Sequence, residues 1–281
     1  EPARRTVQAR GKGDRRMKIN LMQGDCLERM KEIPDNSIDL VLTSPPYNMN
    51  LRIRNGKYVS RQIVKELSTK YDDYDDNLPM DDYFNLLKNV VSECLRVSDL
   101  VFFNIQALTG NKPALYRLMG EYHDKIKELI IWDKVNAQPA IGEGVLNSQF
   151  EMVIVFQNSA PESRKFSGVN FDRGTMSNVW NIKRERQPIK GLGAAMPSEL
   201  ASLVIRSFAK PGQRVLDPFM GSGTTGIEAV KYGCDFVGIE LSEQRLMIAS
   251  ERINNARGSE IPRQRKGETV SDERCRWKGY W

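Results

Sequence analysis

The chain has 281 residues, 40% of them hydrophobic, so it can bury a full core and is predicted to form one main domain with insertions. Its 42 Lys and Arg against 36 Asp and Glu leave a net charge of +6, a modest excess that suits a polyanionic partner. The four cysteines are widely separated and there is one histidine, which argues against a metal cluster and against histidine acid–base chemistry. No apolar run approaches the roughly 18 residues of a membrane span, which argues against a transmembrane protein.

The chain begins with a basic segment that is poor in apolar residues. Residues 1–16 are predicted to be a disordered basic arm, either a solvated tail or a DNA-contacting or nuclear-targeting segment. Strands and helices then alternate, which is typical of an α/β fold whose mostly parallel sheet carries helices on both faces. The predicted strands are Ile19–Met22, Ile38–Leu42, Leu100–Ile105, Ile126–Trp132, Met152–Phe156, Val215–Leu216 and Phe236–Ile239. The predicted helices are Asp25–Ile33, Met80–Arg96, Pro113–Tyr122, Pro197–Ala209, Thr224–Tyr232 and Ser242–Asn255.

The strand at Ile38–Leu42 is followed by the motif Ser44-Pro45-Pro46-Tyr47. Consecutive prolines fix φ and remove two backbone donors, so the carbonyl groups of this loop are predicted to face a ligand. Ser44 and the Pro45 carbonyl can accept the two N–H donors of a primary amine on a heterocyclic base, and Tyr47 adds a stacking face. The alternative interpretation is a strand-ending Pro-Pro turn with a packed tyrosine.

A second motif, from Val215 to Thr225, leads from an apolar strand through a glycine-rich turn into a helix. Its glycines let the backbone approach a ligand, and the helix N-terminus offers unpaired N–H groups. The next strand ends at Glu240, about 20 residues beyond the glycines, where a carboxylate suits the hydroxyls of a ribose. The third glycine of a dinucleotide fingerprint and the Gly-Lys-Ser/Thr of a phosphate loop are absent, so a ribose-bearing cofactor without a polyphosphate is predicted. Because ligands bind beyond the carboxyl ends of strands in such sheets, we expect Ser44 and Gly221 to share one crevice.

Two polar segments interrupt the alternation. Residues 48–77 directly follow the first motif, and their position favours a functional insert. Residues 158–190 interleave basic side chains with Phe166, Phe171 and Trp180, a pattern that suits phosphate contact combined with base stacking; the alternative is a solvated surface with a few core aromatics. The candidate DNA-binding residues of the two segments are Arg52, Arg54, Lys57, Arg164, Lys165, Arg173, Lys183, Arg184 and Arg186.

Together the motifs resemble those of the β class of DNA amino-methyltransferases. Ser44-Pro45-Pro46-Tyr47 matches the family's catalytic motif, Asp217-Pro218-Phe219-x-Gly221-x-Gly223 its cofactor loop, and Gly24-Asp25-Cys26-Leu27-Glu28 the short element that precedes the catalytic motif. Further matches are Ile131-Trp132-Asp133-Lys134, Ser177-Asn178-Val179-Trp180 and Pro211-Gly212-Gln213. The resemblance spans most of the chain, although the histidine that often precedes the Pro-x-Glu-Leu of the family is absent before Pro197.

The resemblance implies a Rossmann-like methyltransferase domain over residues 17–257 that uses S-adenosyl-L-methionine. It implies that Ser44, Pro45, Pro46 and Tyr47 are catalytic. The cofactor-binding residues that it implies are Asp25, Cys26, Asp217, Phe219, Gly221, Gly223, Thr224, Thr225 and Glu240. The expected substrate is double-stranded DNA with the target base flipped out of the helix, and the expected reaction is direct methyl transfer to an exocyclic amine.

The first residue of the catalytic motif bears on the target base. In the family, serine at this position accompanies N4 methylation of cytosine, whereas aspartate is common in N6 methylation of adenine, so Ser44 predicts a cytosine-N4 enzyme with an adenine-N6 enzyme as the alternative. The alternative of another class is a catalytically silent DNA-binding module. The intact Ser44, Tyr47, Asp217 and Glu240 argue against that alternative.

Residues 258–281 are predicted to be a linker that ends in Arg276-Trp277-Lys278-Gly279-Tyr280-Trp281. This end is similar to a strand of a chromodomain, and the alternative is an incidental aromatic tail. A chromodomain would imply a nuclear protein with a chromatin partner, whereas its absence would imply a cytoplasmic enzyme of a bacterium or phage. Both expectations are intracellular, as separated cysteines that fit reduced thiols also indicate.

Overall fold

The computed structural model describes residues 17–48, 53–54, 57–58, 78–138, 143–159, 163–185 and 196–257. The predicted basic arm at 1–16 and the predicted chromodomain-like tail at 258–281 lie outside this range. The strands are β1 (Ile19–Gln23), β2 (Leu40–Thr43), β3 (Ile53–Arg54), β4 (Lys57–Tyr58), β5 (Leu100–Ile105), β6 (Ile126–Gln138), β7 (Ser148–Gln157), β8 (Val179–Asn181), β9 (Arg214–Asp217) and β10 (Asp235–Glu240). The helices are α1 (Cys26–Met30), α2 (Met80–Val97), α3 (Lys112–Glu121), α4 (Ser198–Phe208), α5 (Thr224–Tyr232) and α6 (Glu243–Ala256). None of the described helices is long and apolar enough to span a membrane.

The main sheet has eight strands in the order β1-β10-β9-β2-β5-β7-β6-β8. Strand β7 runs antiparallel to both of its neighbours, and the other pairings in this sheet are parallel. The predicted α/β class with a mostly parallel sheet is therefore confirmed. One edge of this sheet contains the start of β7 and the carboxyl ends of the other strands, β1, β10, β9, β2, β5, β6 and β8. We call it the carboxyl edge, and the other end of the strands the opposite edge. Strands β3 and β4 form a separate antiparallel pair.

Helices cover both faces of the sheet, and each face has its own core. Leu40 and Leu42 of β2 belong to a cluster that includes buried residues of α4, α5 and α6. Val41, between them in sequence, belongs to the opposite cluster with buried residues of α1, α2 and α3. Successive side chains of a strand point to opposite faces, so a strand buried on both faces reads as a continuous apolar run. This is why the sequence indicated β2 so clearly.

Several element boundaries differ from the prediction. Helix α1 is shorter than the predicted Asp25–Ile33, because Asp25 is its N-cap and the helix ends at Met30. Strand β6 extends past Trp132 to Gln138, and β7 begins at Ser148, because the two strands pair as a hairpin that continues to the carboxyl edge. Strand β8 was not predicted; its three residues alternate between exposed and buried, and pairing with β6 rather than local propensity makes them a strand.

Candidate active site

The two sequence motifs lie side by side. Strands β2 and β9 are neighbours, with Val41 opposite Leu216, so the loops that follow them both leave the carboxyl edge. The Thr43 hydroxyl donates a 2.8 Å hydrogen bond to Oδ1 of Asp217, which joins the last residue of β2 to the last residue of β9. Ser44 therefore starts its loop directly beside the glycine-rich turn, as the sequence predicted.

Asp217 holds the glycine-rich turn through hydrogen bonds. Its carboxylate also accepts hydrogen bonds from the Thr225 hydroxyl at 2.7 Å and from the Phe219 backbone N–H at 3.1 Å. Burial raises the pKa of Asp217 to about 6, and the charge of Glu240 acts in the same direction, while the three hydrogen bonds favour the ionised form. Asp217 and Thr225, both predicted to bind the cofactor, thus bind each other and fix the shape of the turn.

The turn itself needs glycine at two positions. Gly221 has φ of 51° and Gly223 has φ of 84°, a left-handed conformation that residues with a Cβ rarely adopt. Gly223 is also the N-cap of α5 and provides no side-chain cap, so the backbone N–H groups of the first turn are open to a ligand. A Cβ at Gly223 would lie 3.1 Å from Ala249 Cβ, which shows how closely the turn approaches α6.

Two further strand ends complete this part of the site. The Gly24 N–H donates to the Glu240 carbonyl at 3.0 Å, so the loop after β1 lies against the end of β10. Asp25 accepts from the N–H groups of Leu27 and Glu28 through Oδ1, and Glu240 accepts from the Ser242 N–H through Oε1. Within the described residues these bonds use one oxygen of each carboxylate. Burial, with a smaller contribution from the charge of Asp25, raises the pKa of the Cys26 thiol to about 12, so this thiol is neutral.

The residues present fit S-adenosyl-L-methionine. The ends of the neighbouring strands β1, β10 and β9 bring together backbone N–H groups at a helix N-terminus, a close-approaching glycine turn and the Glu240 carboxylate. The Ser222 hydroxyl, in the same turn, is buried and has no hydrogen-bond partner in the described part of the protein. A buried hydroxyl without a partner is costly, and a ligand in the turn would satisfy it.

The motif Ser44-Pro45-Pro46-Tyr47 is held in place through its backbone. The Tyr83 hydroxyl donates to the Pro46 carbonyl at 2.7 Å, and the Asn111 amide donates to the Tyr47 carbonyl at 2.8 Å. The prediction that both proline carbonyls face a ligand is therefore wrong for Pro46, whose acceptor is used within the protein. The loop is ordered by residues distant in sequence, which local motif analysis does not detect.

The hydroxyls of the motif enter a network that the sequence did not predict. The Ser44 and Tyr47 hydroxyls lie 3.1 Å apart, and the Tyr47 hydroxyl donates to Oε2 of Glu151 at 2.7 Å. Asn104, at the end of β5, donates to the Tyr47 hydroxyl and to Glu151 Oε2, each at 2.9 Å. Lys134 closes the network with a 2.8 Å ion pair to Glu151 Oε1. Lys134 was part of a family match, but no sequence signal singled out Glu151.

The candidate DNA-binding residues do not form one surface. Lys183 and Arg184 follow β8 at the carboxyl edge, where Arg184 donates to the Asn136 carbonyl at 3.1 Å. Arg164 instead pairs with Glu128 at 2.7 Å, near the start of β6 and hence at the opposite edge, and Lys165 follows it. Arg173 lies in the segment whose Asn170 binds the end of α4, also at the opposite edge. Arg52 and Arg186 lie outside the described residues, and only the backbone of Arg54 and Lys57 is described.

The aromatic residues of the second polar segment pack into the protein. Trp180 is 1% exposed and donates from its indole nitrogen to the Ser177 carbonyl. Phe166 and Phe171 pack on Phe208, with ring centroids 5.2 and 5.5 Å apart. The prediction that Trp180 stacks on a base is therefore wrong, and the alternative of core aromatics is correct for it, because β8 places this side chain in the core.

The fold and this arrangement of strand ends define a Rossmann-like methyltransferase that depends on S-adenosyl-L-methionine. Residues 38–251 match the family model described as DNA methylase, which covers N6 and N4 enzymes, and the chain belongs to this family of DNA methyltransferases. It is 28% identical over 253 residues to the type II methyltransferase M.HinfI of Haemophilus influenzae, an alignment that covers 83% of this chain and 67% of that protein.

Solved structures share the fold. The PvuII DNA methyltransferase, described as cytosine-N4-specific, superposes with a TM-score of 0.61 at 18% identity, covering 85% of this chain and 91% of that one. TTHA0409 of Thermus thermophilus, solved in complex with S-adenosyl-L-methionine, superposes with a TM-score of 0.58 at 20% identity, covering 88% of this chain and 97% of that one.

Proposed function

We propose that this protein transfers a methyl group to the N4 amine of a cytosine flipped out of double-stranded DNA. The observation that carries the proposal is the pairing of β2 with β9, from which the loop that begins at Ser44 and the glycine-rich turn leave side by side. An acceptor for the target amine and a cradle for the methyl donor thus share the carboxyl edge.

S-adenosyl-L-methionine would be held by the glycine-rich turn, the first turn of α5, and the side chains of Asp25, Cys26 and Glu240. When bound, it supplies a methyl group activated on a sulfonium. Glu240, at the end of β10, suits the ribose hydroxyls, because its carboxylate ends a strand next to the turn and its bond with the Ser242 N–H occupies Oε1. Asp217 and Thr225 act indirectly by holding the turn.

The target amine would be held by the motif that follows β2. A base within a duplex cannot reach such a crevice, so the nucleotide must rotate out. The Ser44 hydroxyl and the Pro45 carbonyl accept the two N–H bonds of the amine, while the ring of Tyr47 provides a stacking surface. These residues orient the nitrogen for attack, and water takes the proton that the amine loses; the protein contributes positioning rather than a strong base.

Cytosine is the proposed base because serine begins the motif. The fold neighbour PvuII is cytosine-N4-specific, which agrees with this choice. An N6-adenine enzyme is the second candidate, because the matched family contains enzymes of both specificities. A relative from Haemophilus influenzae favours a cytoplasmic enzyme of bacterial or phage type over a nuclear one.

The test is to incubate the protein with unmethylated duplex DNA and labelled S-adenosyl-L-methionine and to resolve the product nucleosides by mass spectrometry. The proposal expects N4-methylcytosine from the wild type and a large loss of product in Ser44→Ala. The control is Ser163→Ala, a serine at the opposite edge of the sheet, which should methylate like the wild type. N6-methyladenine would overturn the choice of base, and cofactor binding without methylation of any DNA would favour a silent DNA-binding module.

A further inference from the structure

A buried ion pair lies directly behind the hydroxyls of the catalytic motif. The side chains of Lys134 and Glu151 are 3% and 11% exposed, and their charged atoms are 2.8 Å apart. Lys134 also donates to Oε1 of Gln106 at 3.3 Å. A buried ion pair seldom stabilises a fold more than well-packed apolar residues of the same volume would. Its position next to the target-binding hydroxyls therefore suggests a role in the reaction.

The pair fixes the direction of the hydrogen bonds. A lysine ammonium only donates and an ionised carboxylate only accepts, so Glu151 bound to Lys134 accepts through both oxygens. Tyr47 must then donate its single hydroxyl proton to Glu151 Oε2, which lies 2.7 Å away. The Tyr47 oxygen is left as an acceptor, and the 3.1 Å contact with Ser44 becomes a bond donated by Ser44.

The consequence concerns the lone pairs of Ser44. When its proton is directed into the protein toward Tyr47 and its oxygen accepts a long 3.4 Å bond from the Asn104 amide, one lone pair is left for the target amine. A hydroxyl is both donor and acceptor, and without such a constraint it could present its proton to the substrate instead. Asn104 supports the same direction, because its amide donates to both the Tyr47 hydroxyl and Glu151.

We propose that Glu151 is a positioning residue that makes Ser44 a hydrogen-bond acceptor for the target amine, with Lys134 holding the Glu151 carboxylate in place through the 2.8 Å ion pair. This inference rests on the proposed function, in which Ser44 binds the amine. Neither Glu151 nor Lys134 contacts the substrate; both act through Tyr47.

The first variant is Glu151→Gln, which keeps the shape of the side chain but can donate from its amide. A glutamine that donates to Tyr47 lets Tyr47 donate to Ser44, and Ser44 then loses its fixed direction. We expect kcat to fall on the order of 10²-fold, as for misplaced reacting groups, with the KM for DNA and the Kd for S-adenosyl-L-methionine unchanged. The control is Glu121→Gln, which breaks the exposed ion pair with Lys88 and should leave all three constants unchanged.

The second variant is Tyr47→Phe, which interrupts the chain of hydroxyls and leaves the ion pair in place, so it tests the proposal even if Glu151→Gln does not fold. Both variants should lower kcat, and the double variant should be no slower than Tyr47→Phe alone, because the two side chains act through one chain. Wild-type kcat in either single variant, or additive losses in the double variant, would overturn the inference alone. A wild-type protein inactive on both cytosine and adenine would overturn the proposed function with it.

Discussion

Gly226 provides a test of the packing that brings α5 to the cofactor turn. A Cβ at this position would lie 2.5 Å from Ile253 Cδ1 and 2.6 Å from Phe236 Cε1, far inside normal contact. The end of Ile253 can rotate away, but Phe236 is fully buried, so its ring can shift only by displacing the side chains packed around it. Overpacking of this kind lowers the free energy of unfolding by about 1–3 kcal/mol, and the better helix propensity of alanine offsets up to about 1 kcal/mol of that loss. We therefore expect Gly226→Ala to lower the free energy of unfolding by about 1–2 kcal/mol.

Gly120 is the matched control. It also lies within a helix, α3, but a Cβ there meets nothing within 4 Å. Gly120→Ala should raise the free energy of unfolding by about 0.5–1 kcal/mol through helix propensity alone. Urea unfolding of both variants and the wild type measures the change in the free energy of unfolding, which follows from the shift of the denaturation midpoint when the dependence on urea concentration has the same slope. Gly226→Ala should also weaken the binding of S-adenosyl-L-methionine, because the helix start forms part of the turn. A Gly226→Ala protein as stable as Gly120→Ala would refute the proposed close approach of α5 to α6 and β10.

Two further predictions concern charge. Because burial raises the pKa of Asp217 from 3.8 to about 6, the folded protein holds this proton more tightly than the unfolded chain. The contribution of Asp217 to the free energy of unfolding should then fall by about 3 kcal/mol as the pH rises through this interval, and Asp217→Asn should remove that dependence. Urea unfolding of the wild type and of Asp217→Asn from about pH 4 to 7 checks this prediction. Parallel curves of the free energy of unfolding against pH for the two proteins would contradict it. Lys183→Ala, at the carboxyl edge, should weaken DNA binding and reduce the slope of log K against log salt by about 1, whereas Lys165→Ala, at the opposite edge, should leave both unchanged. Fluorescence anisotropy titrations at several salt concentrations distinguish the two; equal effects of the variants would count against an interface at the carboxyl edge.

Most of the architecture was predictable because it depends on local patterns. The apolar run before Ser44 and the strand–turn–helix around Gly221 each identify an element from a few adjacent residues. The helix predicted to begin at Asp25 does begin there, with Asp25 as its N-cap. The expectation that Ser44 and Gly221 share a crevice followed from a general rule on where the carboxyl ends of parallel strands lie.

Contacts between distant residues were not predictable in the same way. Strand β8 exists because it pairs with β6, and that pairing buries Trp180, which the sequence suggested as a base-stacking residue. Arg164 and Lys183 occupy one continuous polar segment of the sequence, yet the fold separates them to opposite edges of the sheet. Composition shows that a segment is basic, but only the path of the chain shows which of its charges lie near the site.

The sequence by itself determined the α/β class, the two motifs and the family resemblance, because glycine, proline and apolar periodicity constrain the backbone within a few residues. The tertiary structure decided how the motif hydroxyls are held. Glu151 on β7 and Asn104 on β5 bind Tyr47, and Lys134 on β6 binds Glu151, only because β7 runs antiparallel between β5 and β6 and brings its first residues to the carboxyl edge. Strand order and direction come from the packing of the whole sheet, and no local pattern encodes them.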